Sequence, residues 1–207
     1  PLGMKEDYMI FYLFSQSNKK YEEFSTKLFG YYDRRKWFSY LSLASVIQKE
    51  AATTNEMPIV SSVVHNRLKK GMKLQMDGTL NYGEYSNTIV TADRIRDDNT
   101  TYNTYKNPGL PSSPICAVSL DAIKAAIFPV KSDYLYFVRE NKTGLHKFAV
   151  TFETHQANIR ANVGVEKTYT KEKIDETQID AEAETIMKTD VTKQKPVSIK
   201  DLFNNIN

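Results

Sequence analysis

"LSLASVIQKEAATTNEMP", residues 41–58, joins the end of one helix to the start of another. At about 100° per residue, Leu43, Val46, Ile47 and Glu50 share one face, while Ser42, Ser45 and Lys49 lie on another. A carboxylate therefore stands on the stripe that should be buried. The spacing allows two readings. Glu50 either marks the point where the stripe runs out into water, or it sits at the rim of an apolar floor. At such a rim lost hydration favours its neutral form and raises its pKa. A raised glutamic acid can protonate a leaving oxygen near neutral pH. Glycoside hydrolases of the common kind want a second carboxylate across the bond. Asp77, Glu56, Glu84, Asp97, Asp98 and Glu153 are candidates, and spacing along the chain does not choose among them.

Working outward, "YEEFSTKLFGYYDRRKW" (21–37) places Phe24, Leu28 and Tyr31 or Tyr32 at helical spacing, and a second helix is expected from about Trp37 to Ala52. A third starts near Asn55, with Pro58 tolerated in its first turn. It turns Ile59, Val60, Val63, Val64 and Leu68 inward and stops at Lys69-Lys70-Gly71. "MKLQMDGTLNYG" (72–83) has weak alternation and turn residues, predicting a short strand and loop. "DDNTTYNTYKNPGLPSSP" (97–114) holds three prolines and almost no periodicity, and a connection that long inside a domain usually carries function. "LDAIKAAIFP" (120–129) is helical, "DYLYFVRE" and "LHKFAV" read as hairpin strands around an "NKTG" turn, and "TFETHQANIRANV" (151–163) closes with a helix. The expected class is α+β: helices packed against a small, mainly antiparallel sheet, with a long substrate loop and a C-terminal tail.

Residues 1–3, "PLG", read as the remnant of a protease cleavage, so the expectation is that a natural N-terminal segment, with any anchor it carried, precedes them. Residues 4–160 form the expected domain. Residues 161–207 are a charged, Thr-rich tether ending in "PVSIKDLFNNIN". There Ser198 is a candidate N-cap and Ile199, Leu202, Phe203 and Ile206 a small apolar face. This end is expected to dock on its own domain or on a neighbouring copy.

Composition narrows the chemistry. Of 207 residues 41% are hydrophobic and 12% aromatic, enough for a folded core; the net charge of +3 is too small to argue for nucleic acid. Thirteen tyrosines suit a sugar or peptide cleft as well as the rim of a core. The single cysteine, Cys116, excludes an intrachain disulfide framework and any multi-cysteine metal site. It reads as a small apolar residue rather than a nucleophile. No run approaches the ~20 apolar residues of a membrane span; the aromatic stretch from Tyr8 to Phe14 is too short. His65, His146 and His155 lack metal-ligand spacing, and there is no G-x-S-x-G elbow, P-loop or G-x-G-x-x-G. Carboxylate chemistry remains.

"LASVIQKEA" with "PIVSSVVHNRLKKGMKLQMDGTLNYG", then "YNTYKNPGLPSSPI", "DAIKAAIFPVKSDYLYFV" and "HKFAVTFETHQANI", resemble in order and spacing the YceG-like family of endolytic murein transglycosylases. The resemblance spans roughly residues 8–160. It implies a lyase that cuts the β-1,4 bond between N-acetylmuramic acid and N-acetylglucosamine within peptidoglycan strands without water, leaving 1,6-anhydro-muramoyl ends. It places the catalytic glutamate on Glu50. The family's "LQ-x-D-x-T" segment falls on Leu74, Gln75, Asp77 and Thr79, and its "YNTY…GLP…PI" loop on Tyr102, Asn103, Thr104, Tyr105, Gly109, Leu110, Pro111, Pro114 and Ile115. Its "E-x-H" ending falls on Glu153 and His155. From these, Gln75, Asp77, Thr79, Tyr102, Asn103, Thr104, Tyr105, Glu153 and His155 are expected to bind substrate. Asn66 and Arg67 are expected to hold their helix to the following loop. No cofactor is implied. Partners would be glycan strands and wall-synthesis enzymes. The parent would be anchored in a bacterial inner membrane with its catalytic part in the periplasm, often behind a small LysM-like domain. Three departures stand out. Ser112-Ser113 replaces a Pro-Gly, Ala117-Val118-Ser119 replaces Asn-Pro-Gly, and Gly78 stands where a proline often follows the motif aspartate.

Overall fold

The computed structural model describes residues 3, 5–86 and 88–162. Of the expected tether and terminal apolar helix, 161–207, residues 163–207 lie outside the described residues, and 161–162 belong to the last helix. The chain divides into two compact units, the first ending at Ser39 and the second starting at Tyr40.

In the first unit, α1 (Glu6–Phe29) is longer than the periodicity foretold and ends on Gly30, whose φ of 78° lets its N–H close back on Thr26 O at 2.8 Å. The rings of Tyr21 and Phe24 lie 5.6 and 6.0 Å from that of Trp37. The seven residues Tyr8 to Phe14 are all exposed, and among the described residues no helix is long and apolar enough to cross a membrane. Asp33 starts α2 (Arg34–Glu50): its Oδ1 accepts from Arg35 N at 2.9 Å and Lys36 N at 3.1 Å. The helix thus begins three residues before the expected Trp37 and ends at Glu50, not Ala52.

The second unit takes its core from the last turns of α2, from α3 (Met57–Lys69), reached through a 3-10 turn at Thr54–Glu56, and from α5 (Leu120–Ile127). Leu43, Val46, Ile47, Val60, Val63, Val64, Leu68, Ala126 and Ile127 are at most 1% exposed. Alanines let α5 approach closely: Ser61 Oγ donates to Ala125 O at 2.7 Å across the two helices. The serine face of α2 is buried too. Ser42 Oγ donates to Pro111 O (2.9 Å) and Ser45 Oγ accepts from Ile115 N (2.9 Å), so the long loop closes over that side of the helix.

The strand expected after Gly71 does not form. Its ladder groups are taken by side chains and by the loop: Arg67 Nη1 donates to Lys73 O (3.3 Å) and Leu74 O (2.6 Å), Gln75 N donates to Thr104 O (3.1 Å), and Met76 N to Thr104 Oγ1 (3.1 Å). Gln75 also sits at φ 52°, a left-handed kink that a strand does not tolerate. The segment instead makes 3-10 turns at Asp77–Thr79 and Gly83–Tyr85, followed by the short α4 (Ala92–Asp97). The expected hairpin is present: β1 (Tyr136–Arg139) and β2 (His146–Ala149) pair antiparallel with Phe137 opposite Phe148, and α6 (Phe152–Asn162) packs on them. Helices with one small antiparallel sheet make the α+β class expected.

Candidate active site

Glu50 is the last residue of α2, where helix carbonyls are unpaired and disfavour an anion. Its side chain does not run out into water. It is partly buried, and Oε1 accepts the backbone N–H of Gly78 at 2.8 Å. Gly78 is required there: a Cβ would lie 2.7 Å from that oxygen and 2.9 Å from Lys49 Cβ. The Glu50 carboxyl is raised to about 7: burial and, less strongly, Asp77 push it up against the Gly78 N–H, His146 and Arg67, which favour the anion. The group is thus poised to lose and regain a proton near neutral pH.

Asp77 is exposed beside this carboxyl, and its Oδ1 accepts the Tyr105 hydroxyl at 2.5 Å. Burial, and then that bond, push the Tyr105 phenol up, which keeps it a donor. Tyr105 comes from the long loop, so the "LQMD" and "YNTY" segments meet at Glu50. Gln75 is exposed on the same turn. Tyr102 is half-buried, its ring tilted by 31° against that of Tyr82 at 4.8 Å, with its hydroxyl 2.5 Å from Ser113 Oγ. Ser112 Oγ likewise meets Thr101 Oγ1 at 2.8 Å, so the two serines at the first departure fasten the loop to itself. At the second, Ser119 Oγ accepts from Ala122 N at 3.1 Å and caps α5.

Three residues expected to touch substrate are inside the protein. Thr79, Asn103 and Thr104 are 0, 0 and 1% exposed. Asn103 Nδ2 donates to Ile95 O (2.9 Å) and Asp98 O (2.8 Å) while its Oδ1 accepts from Tyr105 N (3.1 Å). Thr104 Oγ1 and Thr79 Oγ1 are 3.0 Å apart and tie the loop to the Asp77 turn. These side chains have no polar atom to offer a ligand; they build the frame that presents Tyr102 and Tyr105. Glu153 is exposed on α6. His155 stacks on Tyr136 at 5.2 Å and 22°, and burial together with the Arg67 cation lowers its pKa. The Arg67 guanidinium lies 5.2 Å from the other end of this row, over Tyr136, and Nε donates to Leu135 O at 2.6 Å. Arg67 therefore holds both the following loop and the hairpin, and Asn66 Nδ2 adds bonds to Ser132 O and Tyr134 O.

The geometry also places two other residues that the sequence singles out. Glu56, one of the carboxylates the spacing leaves open, is buried and engaged by His146 and Ala52. Cys116 is half-buried with its thiol pushed up by burial, the reverse of what a thiolate nucleophile needs. Among the described residues no group of three or more His, Cys, Asp or Glu side chains converges on a possible metal position. Sequence reasoning passed over the Gly78 N–H and the Glu56–His146 contact. The only advance sign of the first was a glycine at an unusual place.

The chain is similar to proteins named endolytic murein transglycosylase. It is 36% identical to one from Streptococcus pneumoniae serotype 2 over 128 residues, 59% of this chain and 23% of that protein. It is 38% identical to one from Bacillus subtilis over 117 residues, 56% of this chain and 32% of that protein. The chain thus spans at most a third of the length of these relatives. A crystal structure of a yceG-like protein from Listeria monocytogenes superimposes with a TM-score of 0.59 at 36% identity, covering 67% of this chain and 44% of that one. The sequence pattern of one family runs through residues 2–161, from before α1 to within a residue of the end of α6. By that match, the chain belongs to the YceG-like family.

Proposed function

We propose that this chain is the catalytic part of an endolytic lytic transglycosylase, with Glu50 acting first as acid and then as base. The observation that carries the reading is a partly buried glutamic acid, raised to about 7, beside the exposed Gln75 and Asp77 and the half-buried Tyr102 and Tyr105; the names of its relatives agree with it. Protonated Glu50 donates to the O4 oxygen of N-acetylglucosamine as the bond from the N-acetylmuramoyl anomeric carbon breaks. The Glu50 carboxylate then takes the proton from the C6 hydroxyl of the same muramoyl residue, whose oxygen closes the 1,6-anhydro ring. One residue serves both steps by microscopic reversibility. The attacking hydroxyl is already tethered to the reacting sugar, which replaces a bimolecular encounter with a ring closure. Gln75, Asp77, Tyr102 and Tyr105 are the side chains on the solvent side of this arrangement that would meet the glycan. The substrate places the chain's work outside the cytoplasm, in a periplasm or at a cell surface, and anchoring in an inner membrane remains part of this proposal.

One observation favours a second reading. Asp77 is a carboxylate acting on Glu50, and as a base it would activate water and make the enzyme a hydrolytic muramidase. Digestion of purified sacculi followed by mass spectrometry of the muropeptides separates the two. Anhydro ends, lighter by one water and absent with Glu50→Gln, support the transglycosylase. Reducing ends identify hydrolysis, and intact sacculi with both proteins leave a non-catalytic glycan-binding module.

A further inference from the structure

The carboxylate of Glu56 gathers three segments that are far apart in sequence. Its Oε2 accepts the Ala52 N–H at 3.0 Å and lies 2.9 Å from His146 Nδ1, while Oε1 accepts the His146 backbone N–H at 2.7 Å. Both side chains are buried, 8% exposed for His146 and 10% for Glu56. Burial alone would push Glu56 up, but the bonds from His146 and Ala52 outweigh it and hold the group below the usual carboxylate range. The imidazole has little freedom: its ring meets Phe137 edge-on at 5.1 Å and lies 6.2 Å from Phe148. Ala52 is two residues beyond Glu50, just after the last backbone bond of α2, Ala51 N to Ile47 O at 3.0 Å. The backbone that carries Glu50 out of its helix is therefore pinned by Glu56, as its carboxyl is pinned by Gly78 on the other side.

We propose that Glu56 and His146 form a positioning pair that holds the end of α2 so that the Glu50 carboxyl stays in register with the Gly78 N–H. The inference rests on the reading of Glu50 as the working acid. The pair also acts through charge, since an imidazolium at His146 favours the Glu50 carboxylate. The other charged or titratable groups facing Glu50 are Asp77 on its turn, Arg67 on α3 and Tyr105 on the long loop, with Lys49 beside it on α2. Facing His146 are Glu56 and the two phenylalanine rings. A pair that served stability alone would leave the Glu50 titration untouched in a folded variant.

The Gly78 amide reports the contact directly, because its nitrogen and proton shifts follow the protonation of the oxygen it binds. In the full chain, the Gly78 resonance should titrate with a midpoint near that of Glu50 and stop doing so in Glu50→Gln. In His146→Gln, which removes an imidazole whose cationic form favours the Glu50 anion, the midpoint should rise. In Glu56→Gln, which removes the carboxylate that holds Ala52, the response should shrink by about half or more. Glu56→Asp keeps the charge and should restore part of it, and it serves if Glu56→Gln does not fold. Lys142→Ala, on the exposed hairpin turn, should match wild type. On sacculi, both Gln variants should lose kcat by about tenfold or more with KM within about twofold. Folded variants whose Gly78 titration and kcat equal those of wild type overturn the inference while leaving the functional reading intact. A wild-type protein that leaves sacculi uncut, while the Gly78 titrations behave as stated, overturns the functional reading and leaves the positioning pair standing.

Discussion

Replacing Glu50 by glutamine should stabilise the protein, and more so as the pH rises. Glutamine has nearly the same shape and keeps an oxygen for the Gly78 N–H, so the substitution chiefly removes an ionisation. In the folded chain the carboxyl is raised from 4.5 to about 7. Between those values the native state holds a proton that the unfolded chain has released, so wild-type stability is full below about pH 4.5, falls through the interval and levels off above about 7. The interval corresponds to about 3.4 kcal/mol, and water at the partly exposed carboxyl screens this to about 1–2 kcal/mol. For a chain of this size that is about 2–8 °C in Tm. Melting both proteins by circular dichroism at about pH 4 and about pH 8.5 isolates the effect, since every other titrating group is common to the two and cancels in the difference. The variant should gain little at the lower pH and several degrees at the higher, while losing all glycan cleavage. A Tm difference that stays constant with pH would refute the claim that burial sets the state of Glu50.

Two more substitutions probe the same carboxyl. Gly78→Ala puts a methyl 2.7 Å from Glu50 Oε1 and 2.9 Å from Lys49 Cβ, inside contact distance of both; kcat on sacculi should fall by about tenfold or more, and an unchanged kcat would show that the Gly78 contact is dispensable. Asp77→Asn removes a charge that raises Glu50, so the alkaline limb of the pH–rate profile should move to lower pH by less than about one pH unit; a limb that stays put or moves upward contradicts the assigned coupling.

How far the sequence could be read depended on how local the cause was. The helices α3 and α5, the hairpin with its "NKTG" turn and the closing helix are written in periodicity and turn residues and fold close to where expected, while α2 is shifted at both ends and α4 is not among the expected elements. The segment after Gly71 misleads because its alternation is real but its hydrogen-bonding partners are not a strand. They are Arg67 and Thr104, and nothing in residues 72–76 announces a guanidinium or a threonine hydroxyl. The long loop misleads in the opposite way. Polar residues in an extended connection suggest ligand contact, yet Asn103 is spent on the Ile95 and Asp98 carbonyls and the Tyr105 amide, and Thr104 on the Met76 amide, because buried backbone must be satisfied by whatever partners lie in reach. Tyr102 and Tyr105, one place either side, are only half-buried.

The face question at Glu50 has a physical answer that the stripe alone does not contain. A helix end exposes its last residue to water by default, so the apolar neighbours Leu43, Val46 and Ile47 could never dehydrate Glu50 by themselves. Dehydration needs walls from elsewhere, and the chain brings them from far away: the Gly78 turn is 28 residues on, and Glu56 reaches 90 residues to His146 to close the opposite side. Each wall also brings an opposing influence, an N–H and an imidazole that favour the anion against the burial and the Asp77 charge that disfavour it. Burial with no such donors would carry the carboxyl well past neutral pH and leave it unable to act as a base. Donors without burial would hold it near the ordinary carboxylate range, where it carries almost no proton at neutral pH. A group that must give up a proton and recover one within a single turnover needs both, in near balance, and that balance rather than the glutamate alone is what the fold builds.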